Sequence, residues 1–99
     1  MKIERHYTPT MSIAEFADKY HLTVAVYDRG PLFTGTKERF YAQFNDVEVK
    51  EGSCLASAFG NGSNEPEAIQ NYAECISEKL LIVNAMTAAR REIQAPRLI

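Results

Sequence analysis

The chain has 99 residues, 45% of them hydrophobic, with five Phe, five Tyr and no Trp. That length suits one domain over residues 1–99, built on one modest core. Eleven Lys and Arg against thirteen Asp and Glu leave a net charge of −2, which excludes a generic polyanion binder and disfavours nucleic acid as a partner unless a local basic patch exists.

Residues 1–10 are polar, with Pro9, and read as an arm or a short edge strand. They lack the apolar stretch of a signal peptide, and no apolar run elsewhere approaches a membrane span. The expectation is a cytoplasmic protein with no membrane partner. Cys54 and Cys75 stand 21 positions apart without a CxxC pattern, and both are expected to be free, buried thiols. A chain this short buries only about 60–65% of its surface on folding, so a homo-oligomer is an economical route to stability.

Ser12 and Glu15 have capping-box spacing, and Phe16, Ala17 and Tyr20 continue a helix of two turns that ends at His21. Residues 22–27 form a strong β run with Leu22, Val24 and Val26 on one face. A loop follows from Asp28 to about Thr36. Residues 38–44 alternate, with Phe40, Ala42 and Phe44 opposite Arg39, Tyr41 and Gln43. Asn45-Asp46 is a turn signal, residues 47–50 form a short strand, and Glu51-Gly52 turns the chain again. Residues 53–59 form the next strand, which runs into Gly60 and Gly62.

The main helix then opens at Ser63 or Asn64. Asn64 caps it, Glu67 stands three residues on, and Pro66 falls in the first turn. Ala68, Ile69, Tyr72, Ala73, Ile76 and Leu80 make one apolar stripe at helical spacing. Residues 80–83 are a compact apolar strand, residues 84–91 are ambiguous, and residues 92–95 form a last strand before Pro96. Together these elements predict an α+β domain: an antiparallel β-meander sheet covered on one face by one main helix, with a short N-terminal helix.

Few residues are arranged for chemistry. His6 and His21 have no Cys or Asp at metal-ligand spacing, and no serine sits in a nucleophile elbow. A non-enzyme without metal or cofactor is expected. Gly60-Asn61-Gly62 before a helix start has the form of an anion cradle, although Glu65 and Glu67 oppose a charged phosphate there; a tight turn needing positive φ is the competing reading. Guanidinium and aromatic groups together suit a nucleotide, one pairing with phosphate and the other stacking on a base. Arg39, Phe59, Asn71, Arg90 and Arg91 are therefore the candidate ligand-binding residues; solvated strand and tail positions are the alternative.

Two family resemblances arise. The run Asn64-Glu65-Pro66-Glu67-Ala68-Ile69 after a β-meander and glycines is similar to HicB-like antitoxin domains, over about half the chain. Gly60-Asn61-Gly62, Glu67-Ala68-Ile69, Ile76-Ser77, Leu81-Ile82-Val83 and Arg91-Glu92-Ile93 with Pro96 resemble small tailed-phage proteins, and among these the first Thoeris anti-defence family. That resemblance implies an oligomeric phage sponge that sequesters a cyclic ADP-ribose isomer or a cyclic oligonucleotide without cleaving it. The alternatives are a HicB-like or RNA-binding α+β module and a protein–protein inhibitor of a host defence enzyme.

Overall fold

A computed structural model describes residues 1–6 and 9–99. Tyr7 and Thr8, within the expected N-terminal arm, lie outside the described residues. The first element is a two-residue strand β1 (Thr10–Met11), followed by helix α1 (Ile13–Tyr20). Ser12 caps α1: its hydroxyl accepts from the Glu15 amide at 3.1 Å and reaches the Glu15 carboxylate at 3.2 Å. The helix stops where His21 turns left-handed at φ 56°. Its apolar side, Ile13, Phe16 and Ala17, is buried.

Strands β2 (Val24–Asp28), β3 (Phe40–Phe44) and β6 (Gly60–Gly62) make one antiparallel sheet in the order β2-β3-β6. Strands β4 (Val47–Glu51), β5 (Cys54–Ala56), β7 (Leu80–Val83) and β8 (Arg91–Gln94) make a second, in the order β5-β4-β7-β8. A third, parallel pair joins β1 to β9 (Arg97–Leu98). The domain is thus mixed α and β with two antiparallel sheets and one parallel pair; among the described residues nine strands lie in three sheets, which corrects the expected single meander under one helix.

The reason for the split is legible in the registers. Ala42 pairs with Gly60, and Val49 pairs with Ala56. Between those pairs, six residues (43–48) face three (57–59), and a ladder cannot continue across three extra residues. Asn45-Asp46 does turn the chain, with Asp46 at φ 59°, but it closes no hairpin. It carries the chain out of one sheet and into the next. Residues 53–59, expected as one strand, are divided for the same reason into β5 and the approach to β6.

Helix α2 (Glu65–Ile76) lies directly on β6. A Cβ added to Gly60 would sit 2.1 Å from the Tyr72 amide nitrogen, and one added to Gly62 would sit 2.3 Å from that of Ala68. The glycines are therefore needed for close approach of backbone to backbone. Neither has positive φ, so the expected glycine turn is instead a strand that the helix covers. Tyr72 fills the space beyond: its ring meets Phe44 edge-on at 5.3 Å, and Phe44 in turn lies 6.1 Å from Phe16.

The apolar stripe of α2 is as predicted through Ile76, but the helix ends one residue on. Ser77 returns its hydroxyl to the Ala73 carbonyl at 2.7 Å, and Glu78 takes φ 62°. Leu80 belongs to β7. Leu81, Ile82 and Val83 are all buried, as an inner strand with two covered faces requires.

Candidate functional site

Period-two alternation sorts the three-stranded sheet into two faces. Phe40, Ala42, Phe44, Gly60 and Gly62 lie on the face turned to α2. The cross-strand row Tyr27, Tyr41 and Asn61 lies on the opposite face. That outer face is open. Tyr27 is 40% exposed and Phe59 45%, and their clustering around Tyr41, rather than the exposure of either ring, is what marks the face.

The rings form one platform. Tyr27 and Tyr41 stack at 4.7 Å with an interplanar angle of 16°, and Phe59 meets Tyr41 edge-on at 5.9 Å. Arg29 completes it. Its guanidinium carbon stands 4.4 Å from the Tyr41 centroid. One terminal nitrogen, Nη1, donates to Asn61 Oδ1 at 2.9 Å and to the Glu38 carbonyl. Among the described residues, Nε and Nη2 of Arg29 donate to no protein group, which leaves a second fork edge for a ligand.

The five residues expected to bind a ligand are distributed differently. Phe59 lies on the platform. Arg39 does not: Asp28 holds it through Nε to Oδ1 at 3.0 Å and Nη2 to Oδ2 at 3.1 Å. Those hydrogen bonds, and the close charges, raise the Arg39 pKa and hold the Asp28 carboxyl below its ordinary range. Asn71 is on α2, and its amide donates to the Asn61 carbonyl at 2.5 Å. Cys75, one turn later, reaches the Phe59 carbonyl at 3.8 Å. The pair caps the outer backbone edge of β6 and steadies Phe59 and Asn61 from behind. Arg90 pairs with Glu92 at 3.6 Å, and Arg91 donates to the Tyr20 carbonyl at the end of α1. Among the described residues, no hydrogen bond or ion pair joins Arg90 or Arg91 to Phe59, Asn71 or Arg39.

The guanidinium over Tyr41 is thus that of Arg29 rather than Arg39, and Tyr27, Arg29 and Asn61 stand beside Tyr41 without having been among the five candidates. A signal was present for two of them. Tyr27 and Arg29 continue the alternation of Val24 and Val26 on the opposite face. The pairing of Asp28 with Arg39, which turns Arg39 away from Tyr41, has no signature in the local sequence.

The expected anion cradle is also filled from within. Glu67 accepts from the Ser63 hydroxyl at 3.0 Å, and the Glu67 amide donates to Asn64 Oδ1 at 2.9 Å. Both cysteines are free, as expected, but exposed rather than buried. Cys54 opens the edge strand β5, and Cys75 lies on the rim of α2.

Concave sites occur elsewhere on the surface. A cleft of about 290 Å³ at the sheet break is lined by Gln43, Phe44, Asp46, Glu48, Asn84 and Met86, among others. Another of about 260 Å³ has Arg91 with His21, Asn45, Asp46 and Asn84. Neither brings an exposed ring to a guanidinium, whereas the platform does. Among the described residues, no group of three or more His, Cys, Asp or Glu is placed to hold a metal ion, and no helix is long and apolar enough to cross a membrane. No family model matches the sequence, no curated protein matches it, and no solved structure matches the fold.

Proposed function

We propose that the outer face of the three-stranded sheet binds a cyclic nucleotide signal, and that the protein acts by holding this signal intact in the cytoplasm of a phage-infected cell. The observation that carries this reading is the placement of the Arg29 guanidinium over Tyr41, beside the exposed rings of Tyr27 and Phe59. A base stacks on such rings with about 1–3 kcal/mol per base. The free fork edge of Arg29 suits a phosphate oxygen pair. The Asn61 side-chain amide, whose Oδ1 is held by Arg29, keeps its NH2 group for a ribose hydroxyl. The resemblance to the Thoeris anti-defence family supports the cyclic ADP-ribose isomers and cyclic oligonucleotides as the ligand class.

Calorimetry with cyclic ADP-ribose isomers and with cyclic di- and trinucleotides tests this directly. Heat with one of them, lost in a Tyr41→Ala variant, is the expected result. Recovery of unaltered ligand after denaturing the complex distinguishes a sponge from a hydrolase. No heat with any member of the set overturns the reading.

Single-stranded RNA is the alternative ligand, because aromatic side chains on an open sheet face also hold splayed bases. The net charge of −2 ranks it second. Fluorescence anisotropy with short RNA oligomers at low and moderate salt separates the two.

A further inference from the structure

Strand edges are sites where another chain can add, and this protein guards its edges unequally. The outer edge of β6 is capped by Asn71 and Cys75. The outer edge of β8 carries Arg91 and Glu92. The edge strand β5 has only three residues. Among the described residues, strand β2 is guarded least: its one charged residue, Asp28, stands at its end and is paired with Arg39. Its five residues, Val-Ala-Val-Tyr-Asp, contain no Pro and no Lys, and its register with β3 runs unbroken from Val24–Phe44 to Asp28–Phe40.

The hydrogen-bond pattern shows which groups are open. Asn45 donates its amide to the Thr23 carbonyl at 3.0 Å, and Arg29 donates its amide to the Arg39 carbonyl at 2.8 Å. In an antiparallel ladder the bonded pairs recur at every second residue. Residues 23, 25, 27 and 29 therefore direct their backbone groups to β3. Val24, Val26 and Asp28 direct theirs outward. Among the described residues, no hydrogen bond reaches the backbone N–H and C=O groups of that row.

We propose that a second copy of this chain pairs with β2 in antiparallel register, about a two-fold axis at Val26. The register is self-complementary. Val26 meets Val26 of the second copy, and Val24 meets Asp28 of the second copy, each as a hydrogen-bonded pair. Between them, Tyr27 lies opposite Ala25 of the second copy on the outer face. The two aromatic platforms then run into one surface of six strands, with an Arg29 from each copy.

The same register explains an otherwise unpartnered apolar loop. Gly30 falls opposite Leu22 of the second copy. The turn Pro31–Phe33 that follows carries Leu32, 95% exposed, with Phe33 beside it. The two-fold brings this turn alongside the end of α1 of the second copy, where Tyr20 and Leu22 are only half-buried. A stable dimer needs about 800 Å² from each partner, more than a five-residue strand supplies. The two loop arms, one at each end of the paired strands, add apolar area where the strand pairing ends.

Light scattering over a concentration series, with amide hydrogen exchange read at Val24, Val26 and Asp28, tests the pairing. The expected mass rises from 11.1 kDa toward twice that value, and protection of the Val26 amide falls on dilution in step with it. A Val26→Pro variant removes an N–H that makes no bond within its own chain, so it is expected to keep its helical circular dichroism. Association should weaken roughly a hundredfold, since both bonds of the central pair are lost. Should that variant fail to fold, the wild-type exchange data decide alone. A monomer at every concentration, or a dimer whose Val26 amide exchanges freely, overturns the proposal. So does undiminished dimerisation of Val26→Pro. Nucleotide binding is read by calorimetry and dimerisation by mass, so either can fail while the other stands.

Discussion

The guanidinium of Arg29 lies over the ring of Tyr41, 4.4 Å from its centroid, and Asn61 fixes it there. Ten positions on, Arg39 has the same side chain and is neutralised by Asp28. Two arginines at adjacent strand ends thus have unlike chemistry. One keeps a free fork edge over an aromatic surface; the other is committed to a carboxylate.

This difference predicts a split between two conservative variants. Arg29→Lys loses the planar contact with Tyr41 and the second fork edge, and ligand affinity should fall about tenfold or more. Arg39→Lys keeps a charge beside Asp28 and should leave affinity within about twofold. Calorimetry of the two variants with the ligand found for the wild type checks the order. Equal losses would place both arginines on the ligand.

Gly60→Ala should unfold the region around α2. The added methyl meets backbone atoms of Tyr72 and Ala68, which have no rotamer to change. Overpacking of this kind costs about 3 kcal/mol or more. A urea titration followed by circular dichroism should show a markedly lower midpoint, while Gly52→Ala, at an open turn with φ 61°, should cost about 1 kcal/mol.

Stability should fall in alkali through Tyr72. Burial pushes its phenol up to about 12, with a backbone hydrogen bond from Phe44 acting the other way and nearby Cys75 adding to the rise. The unfolded phenol loses its proton near pH 10. Between the two values the unfolded state binds fewer protons, so stability is full below about pH 10 and declines as pH rises toward 12. The decline amounts to about 2–3 kcal/mol. Urea midpoints at pH 8 and pH 11 should therefore differ for the wild type by more than for Tyr72→Phe.

The start of α2 offers a smaller, cleaner test. Asn64 Oδ1 accepts from the Glu67 amide at 2.9 Å. Asn64→Ala should destabilise the fold by about 1 kcal/mol, and Asn64→Ser should restore most of it. Thermal unfolding of the three proteins measures this. An unchanged midpoint in Asn64→Ala would mean that Glu67 and Ser63 hold the helix start without the cap.

Local signals carried well into the structure. Ser12 and Glu15 start α1, Asn64 starts α2, and the alternation of Phe40, Ala42 and Phe44 against Tyr41 and Gln43 separates the buried and open faces of β3. Each depends on contacts within four residues or on a fixed period along the chain. Of the five candidate site residues, Phe59 is on the platform, and Asn71 supports it from behind. The other three were chosen for their side-chain chemistry, and chemistry alone does not specify which carboxylate or carbonyl a long arginine reaches across the fold.

Residues 59–76 illustrate the division most plainly. By itself the sequence determined a capped helix with one apolar face, because capping and period are local properties of the chain. Gly60 and Gly62 had two meanings there: freedom to turn, or room for a close neighbour. Only the tertiary structure decided between them, by laying the backbone of α2 where a Cβ would have to stand. It also decided that Arg29 rather than Arg39 faces Tyr41, since strand pairing and the reach of Asp28 join residues that are distant in sequence.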